Sequence, residues 1–357
     1  MKQSYYDKLN DQGYYIIAEV GVNYYEIAEL NNISPLNAAK LMIQKAKEAG
    51  ADAVKFQTYK AEHLTMVDSP GSWNKEDISV ETMYELFKLY DKFDAEDYQV
   101  LSDYAHSLHI DFLSTPFDYE SADYLNDMMG IYKISSSDIS NIPFIEYIAQ
   151  KGKPIILSTG ASDLDEIENA VKIITSINNN KLTLLHCVLE YPTPYEHANL
   201  CKIASLVNKF PGIIVGYSDH TKPDESMDVL KTAYLLGAQV IEKHFTLDKT
   251  IKGKNDHFHS MDCEDLMKLK KGLDFINTIK GSGEIKCLES ERTTRESVRR
   301  SAVSAHKIQK GDILTEQSIV FKRPGIGLSP LEVKPLLGKQ AVCDIDEDII
   351  LKEIFFE

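Results

Sequence analysis

The chain has 357 residues, 26% of them charged and 43% hydrophobic, with a formal net charge of −16. That length exceeds one small domain and suits a barrel with an appendage, and the composition is that of a globular enzyme rather than a disordered segment. The acidic excess argues against nonspecific nucleic-acid binding and against anionic membranes, so an anionic ligand requires a local cluster of Lys and Arg. Five cysteines, Cys187, Cys201, Cys263, Cys287 and Cys343, contain no Cys-x-x-Cys pair. A disulfide framework or structural zinc site is therefore not expected, and a reducing, cytoplasmic setting is. The stretch Met1–Tyr6 lacks the apolar core of a signal peptide, and no apolar run is long enough to span a bilayer.

In chain order, Tyr14–Val20 is the first strand candidate, with Glu19 near its end. Ser34-Pro35 opens a helix, Ser as N-cap and Pro at the first helical position. Ala38, Leu41, Met42, Ala46 and Ala49 follow at helical spacing, and Gly50 stops it. Ala53–Thr58 reads as the second strand, with Lys55 and Gln57 on one face. Residues 60–80, which hold Trp73, read as a long loop, followed by helices at Met83–Tyr90 and Glu96–Leu108. So long an excursion after a strand is where a cover over a substrate site is expected.

Ile110–Thr115, Tyr132–Ser136, Lys153–Gly160 and Leu182–Cys187 supply strands three to six, with a helix from Ser162 or Asp163 to Ile174. Strands seven and eight are Ile213-Ile214-Val215 running into Gly216-Tyr217-Ser218-Asp219-His220-Thr221, and Val240-Ile241 running into Glu242-Lys243-His244-Phe245-Thr246. An apolar run that ends in polar groups is a buried parallel strand surfacing at its carboxyl end. Eight strands separated mostly by helical segments, in a stretch close to the typical length of about 250 residues, predict an α/β fold of the (β/α)8 TIM-barrel type.

A last helix over Cys263–Thr278 closes this catalytic domain, residues 1–280. Residues 281–297 are polar and charged and read as a linker. Over 298–357 short apolar stretches are broken by turns at Lys310-Gly311-Asp312, Pro324-Gly325 and Leu337-Gly338-Lys339, which predicts a small, mostly β module. So short a module is marginal alone, and docking on the barrel or on a second subunit is expected.

Chemistry on such a barrel gathers at the carboxyl ends of the strands. There the sequence puts Glu19, Lys55, Gln57, Thr115, Lys133, Ser136, Asp138, Ser158, His186, Tyr191, Ser218, His220, Glu242 and His244. One strand lysine can be an edge or snorkelling residue. Two of them, with Ser136, Ser158 and Ser218 on further strands, suit a phosphate and a carboxylate. The other chemical use of such a lysine is a Schiff base, as in a pyruvate aldolase. His186 reads as a core histidine. His220 and His244 end consecutive strands, which are neighbours in a parallel barrel, so both imidazoles reach one cation; Mn²⁺, Fe²⁺ and Zn²⁺ are compatible. Glu242 shares a face with His244 and serves to orient an imidazole, bind substrate or pair with a barrel lysine. Asp256-His257-Phe258-His259 gives a weak hint of a second metal; the preferred reading is a substrate-contacting loop with Asp256 as its polar contact. No Walker sequence and no Gly-x-Ser-x-Gly elbow occur.

The motifs Ala18-Glu19-Val20-Gly21-Val22-Asn23, Val54-Lys55-Phe56-Gln57-Thr58, Ser114-Thr115-Pro116-Phe117, Tyr132-Lys133-Ile134, Ile156-Leu157-Ser158-Thr159-Gly160, His186-Cys187, Tyr191-Pro192-Thr193-Pro194, Ser218-Asp219-His220-Thr221 and Glu242-Lys243-His244-Phe245-Thr246 stand in this order. Together they resemble the sialic acid synthase (N-acetylneuraminate synthase) family, which includes legionaminic and pseudaminic acid synthases. The tail, in Lys322-Arg323-Pro324-Gly325 and Gly338-Lys339, resembles that family's antifreeze-like (SAF) domain. The resemblance implies a transferase that condenses phosphoenolpyruvate with an N-acetylated amino-sugar aldose, such as N-acetylmannosamine, and water. The product is a nine-carbon 3-deoxy-ulosonic acid, plus phosphate; synthesis of legionaminic or pseudaminic acid is the alternative. By the same resemblance Lys55, Lys133, Thr115, Ser136, Ser158 and Ser218 hold phosphoenolpyruvate. Glu19, Gln57, Asp138, Tyr191 and Asp256 contact the amino-sugar or the reacting centre. His220 and His244 bind Mn²⁺, with Mg²⁺ or another divalent ion as alternatives, and Arg323 reaches from the tail of one subunit into the barrel of the other in a domain-swapped homodimer. The sequence departs from the family pattern at Tyr24-Tyr25-Glu26, which replaces a His-Asn-Gly type continuation, at Leu189-Glu190, and at Asn255–His259, which replaces a Pro-Asp-His loop. By analogy these positions lie beside the sugar.

Overall fold

The structure, a computed structural model, describes residues 5–71, 80–251 and 256–357. Trp73 and Asn255, singled out above, lie outside the described residues. The chain divides into two compact units, Met1–Lys280 and Gly281–Glu357.

In the first unit eight strands run parallel: β1 (Tyr15–Gly21), β2 (Ala53–Thr58), β3 (Asp111–Pro116), β4 (Tyr132–Ile134), β5 (Ile155–Ser158), β6 (Leu182–Cys187), β7 (Ile214–Asp219) and β8 (Val240–His244). The hydrogen-bonded order is β3-β2-β1-β8-β7-β6-β5-β4, and β3 lies beside β4 across the remaining seam, so the sheet is a nearly closed TIM-type barrel. Helices follow the strands. Ser34 caps the helix Pro35–Ala49 by accepting the Asn37 N–H at 3.2 Å, and Gly50 ends it at φ 102°, as the sequence predicts.

Alternation along each strand explains the interior. Tyr15 and Ile17 of β1, Ala53 of β2, Leu113 of β3, Ile131 just before β4, Ile156 of β5, Leu185 of β6 and Val240 of β8 form one buried apolar cluster. The next inward positions, two residues on, are Glu19, Lys55, Thr115, Lys133, Ser158, Cys187 and Glu242. The barrel is thus plugged with hydrocarbon at its amino end and lined with polar groups at its carboxyl end. Gly216 on β7 sits in the plug, where a Cβ would stand 2.4 Å from the Val240 carbonyl oxygen and 2.5 Å from Leu185, so no larger residue fits. The helix Tyr5–Gln12, absent from the expectations above, adds Tyr5 and Leu9 to the plug, and the Tyr5 and Thr183 hydroxyls share a 2.9 Å hydrogen bond.

Outward alternation puts Lys243 between strand and helices. Its ammonium, fully buried, donates to Asp219 and to the Thr221 carbonyl. Asp219 also accepts from Tyr217, from the Thr221 N–H and from the Thr221 hydroxyl. Removing the ammonium leaves a buried carboxylate without its counter-charge. Lys243→Met therefore costs about 3–5 kcal/mol, seen as a lower urea midpoint for the barrel; an unchanged midpoint contradicts this.

In the second unit β9 (Ser301–Ser304) and β10 (Ile319–Lys322) pair antiparallel. Single bridges such as Ile308↔Ile345 and Val303↔Ile350 do the rest of the pairing around a core of Ala302, Leu314, Leu336, Leu351 and neighbours. Regular strand is scarcer than the sequence reading suggests, because frequent turns leave no room for longer ladders. Residues 292–298 form a short exposed helix. Among the described residues no helix is long and apolar enough to cross a membrane.

Candidate active site

At the carboxyl ends of the strands a pocket is lined by Glu19, Lys55, Gln57, Thr115, Lys133, Ser136, Ser158, Tyr191, Ser218, His220, Glu242 and His244. All twelve were singled out in the sequence; Phe117, Ser135, Cys187 and Leu189 complete the lining.

Strand register builds the floor. Glu19 is paired with Lys55 between β1 and β2, and Ser218 with Glu242 between β7 and β8. Accordingly Lys55 forms an ion pair with Glu19, and the Ser218 hydroxyl donates to Glu242 at 2.9 Å. Lys133 lies 3.4 Å and Lys55 3.8 Å from the Glu242 carboxylate. Two ammonium groups and two carboxylates are thus buried together. Their proton affinities diverge. Burial pushes Glu19 up to about 7, Lys55 opposing and Glu242 adding to the shift. Burial works against ionised Glu242 too, but Lys133, Lys55 and the Ser218 hydroxyl outweigh it and hold that carboxyl below the usual range. Burial also lowers Lys133. Glu242 is the standing anion; Glu19 titrates near neutrality.

The walls supply hydroxyls. Ser136 accepts the Gly160 N–H at 2.8 Å, an approach for which a Cβ on Gly160, 2.6 Å from Cys187 Sγ, leaves no space. Lys55 donates to Thr115 at 3.3 Å. The Ser158 hydroxyl is buried with no hydrogen-bond partner among the described residues, a donor left over for a ligand.

Three histidines meet on one side. The His220 Nδ1–H donates to the Val188 carbonyl at 2.6 Å, which leaves Nε2 as the lone-pair nitrogen. The His244 ring is 5.6 Å from His220 and 5.0 Å from His259 between centroids. Tyr191 covers His220 at 4.2 Å. Burial lowers His220 to about 4, and holds His244 and His259 below the ordinary range, neighbouring imidazoles adding to the effect. All three are neutral at physiological pH, the form in which imidazole binds a metal. Donor atoms of His244, Asp256 and His259 lie within 4.8 Å of one another, a set able to hold one divalent ion. His244 Nδ1 is buried without a hydrogen-bond partner among the described residues, so the residues fit an ion at this place.

Besides His186, which the sequence reads as a core histidine, three residues named from the sequence stand apart from the pocket lining. Asp138 ends a 3-10 turn and accepts from Asn141 at 3.2 Å. Asp256 borders the histidines, 3.5 Å from His244 Nδ1. Arg323 belongs to the second unit. The sequence gives His259 only as half of a weak His-x-His hint of a second metal. That histidine lies with Asp256 on a 3-10 turn, Asp256–His259, whose i and i+3 positions share a side; the Asp-x-x-His spacing was the available signal. His257 on the other side is a scaffold, 2.7 Å from the Thr246 hydroxyl and 3.5 Å from Glu26. The departures at Tyr24 and Tyr25 are scaffold as well. They lie on a helix, Tyr24–Asn31, and pack on Phe93 and Tyr90, while Glu26 accepts from Tyr90 at 2.8 Å.

Comparison with known proteins gives two family matches: the NeuB family over residues 42–285 and the SAF domain over residues 299–353. The chain is 38% identical to the N,N'-diacetyllegionaminic acid synthase of Campylobacter jejuni, across 95% of this chain and 98% of that protein. It is 31% identical to the N-acetylneuraminate-9-phosphate synthase of Homo sapiens, across 95% of this chain and 91% of that protein. Among solved structures it is similar to N-acetylneuraminic acid synthetase from Leptospira borgpetersenii in complex with citrate, with a TM-score of 0.67 and 34% identity, covering 79% of this chain and 90% of that one.

Proposed function

The chain belongs to the NeuB family, and from that premise we propose that it condenses phosphoenolpyruvate with an N-acetylated amino-sugar aldose and water to a nine-carbon ulosonic acid and phosphate. The observation that carries this reading is the convergence of Lys55, Lys133, Ser136, Ser158 and Ser218 in one pocket beside His220 and His244. The two ammonium groups offset the ligand's phosphate and carboxylate charges, and the serine hydroxyls fix its orientation. A divalent ion held by His220 and His244, Mn²⁺ or alternatively Mg²⁺ or another divalent ion, supplies Lewis-acid polarisation of the sugar's aldehyde when bound. Gln57, Tyr191, Asp138 and Asp256 are assigned to the amino-sugar or the reacting centre.

In the reaction proposed, the methylene carbon of the enol phosphate bonds to the aldehyde carbon as the C=O π bond opens, and the aldehyde oxygen takes up a proton to become a hydroxyl. Water adds to the enol carbon, and the bond from that carbon to the phosphate oxygen breaks. Glu19, against Lys55 and titrating near neutrality, takes the proton of the incoming water. This gives a pH prediction. A base must be deprotonated to act, so kcat/KM rises with pH through about 7 and falls below it. Phosphate in the substrate titrates at about 6, so Glu19→Gln is the control. That variant loses the limb near 7 and about 10²–10⁴-fold of the rate. A limb that survives in Glu19→Gln contradicts the assignment.

The higher identity to the diacetyllegionaminic acid synthase than to the N-acetylneuraminate-9-phosphate synthase favours a diacetamido acceptor within the proposed class. The test is phosphate release from phosphoenolpyruvate with N-acetylmannosamine, its 4-acetamido-4,6-dideoxy analogue and the altrose isomer side by side. Release with one of them, and a product whose mass is that of phosphoenolpyruvate, sugar and water together less phosphoric acid, is expected; no release with any of them overturns the reading. Borohydride trapping of pyruvate on Lys55 or Lys133 would instead reveal a Schiff-base aldolase. A homodimer that exchanges its tails, with Arg323 acting on the partner's reaction, is part of the proposal. Arg323→Ala then lowers kcat/KM without changing the dimeric mass.

A further inference from the structure

The histidine cluster holds one more imidazole than the ion assignment above uses. His259 has a fully buried side chain, and neither ring nitrogen has a hydrogen-bond partner among the described residues. Its nearest acidic oxygen, on Asp256, is 3.7 Å from Nε2, too far for a hydrogen bond. The protein itself shows how a structural histidine is treated. His257, two residues earlier, meets the Thr246 hydroxyl at 2.7 Å, and His186 donates to the Ala198 carbonyl at 2.9 Å. Burying an imidazole with both nitrogens unsatisfied is costly, so His259 calls for a partner beyond the described residues, such as a bound ion or water.

Geometry says which kind of group. The 3-10 turn aims Asp256 and His259 together at His244, and the ring centroids of His259 lie 5.0 Å from His244 and 6.4 Å from His220. A water satisfies two nitrogens by donating to or accepting from each. It does not account for a carboxylate and two buried imidazoles whose donor atoms, on Asp256, His244 and His259, lie within 4.8 Å of one another with His220 beside them, which is the donor pattern of a transition-metal site.

We propose that His259 is a ligand of the divalent ion at this site, which makes the ion site a cluster of three imidazoles with the Asp256 carboxylate. The inference rests on the ion assignment made for His220 and His244. Its consequence is selectivity. Magnesium prefers oxygen ligands in a near-ideal octahedron, whereas imidazole nitrogens favour the later first-row ions, in the order Mn²⁺ below Fe²⁺ below Co²⁺. A third imidazole therefore tilts this site towards Co²⁺, Fe²⁺ and Mn²⁺ and away from Mg²⁺.

The test uses the full-length, metal-stripped chain and two probes, Co²⁺ followed by its visible absorption and Mg²⁺ by competition. His259→Phe keeps the ring and removes both nitrogens, and His259→Gln serves should the larger ring disturb packing. Thermal unfolding without metal is the folding control. In folded variants the Co²⁺ dissociation constant rises tenfold or more, the bound Co²⁺ spectrum changes, and Mg²⁺ binding moves much less, so the preference for Co²⁺ narrows. Wild-type Co²⁺ affinity and spectrum in a folded variant overturn the role of His259 and leave the His220–His244 assignment standing. Failure of the wild-type chain to bind any divalent ion overturns both.

Discussion

Lys133→Met lowers kcat/KM for phosphoenolpyruvate by about 10²–10³ or more, the loss associated with removing one preorganised donor to developing charge. The reason lies in the floor of the pocket. Lys133 is buried 3.4 Å from Glu242, and Lys55 is shared between Glu19 and Glu242. With both ammonium groups present an incoming enol phosphate meets two cations. With one removed it meets the Glu242 carboxylate, held ionised and only partly compensated. The change therefore raises KM as well as lowering kcat. Part of the effect is stability, because a buried carboxylate has lost a partner, so circular dichroism and the unfolding midpoint are measured on the same preparation. Lys133→Arg gives little rescue, since a planar guanidinium does not occupy the position of a compact ammonium. Full activity in a folded Lys133→Met contradicts the phosphate assignment.

His244→Ala has an effect of the same size or larger by a different route. His244 ends β8 opposite Glu19 in the register, and its Nδ1 is a buried nitrogen with no hydrogen-bond partner among the described residues. Replacing it removes an ion ligand while leaving the lysine floor intact. Activity falls by on the order of a thousandfold, equivalent to the several kcal/mol that a Lewis acid contributes. Excess Mn²⁺ restores only part of it. Phosphoenolpyruvate binding, measured separately, is weakened far less than in Lys133→Met. The two variants thus separate anion holding from carbonyl activation. Retained ion binding with full activity in His244→Ala rejects it as a ligand.

Much of this site was legible because a barrel strand is a period-two object. Once Tyr15 and Ile17 are placed in the plug, Glu19 must point into the mouth, and the same step carries Ala53 to Lys55 and Val240 to Glu242 and His244. What the sequence hid depends on contacts distant along the chain. The helix Tyr5–Gln12 offers only Tyr5 and Leu9 as buried residues, too weak a periodic signal, and is held by Thr183 far down the chain. Tyr24-Tyr25-Glu26 read as a change beside the sugar because sequence proximity to Asn23 suggested it; aromatic packing on Phe93 and Tyr90 gives them another task. The split between Glu19 and Glu242 was beyond reach for a related reason. Two glutamates at strand ends look alike until the distances to Lys55 and Lys133 decide which one keeps its proton near neutrality. His-x-His offers His257 and His259 only as a pair and a weak metal hint, whereas the turn groups Asp256 with His259 and leaves His257 to Thr246.

The central claim is that ammonium and hydroxyl groups hold an enol phosphate next to an imidazole-bound ion. A crystal soaked with phosphoenolpyruvate and Mn²⁺, with anomalous data recorded for manganese, tests it directly. The account predicts the phosphate and carboxylate between Lys55, Lys133 and the three serines, and a manganese peak at His220 and His244. A saturated crystal in which that pocket stays empty of both contradicts it.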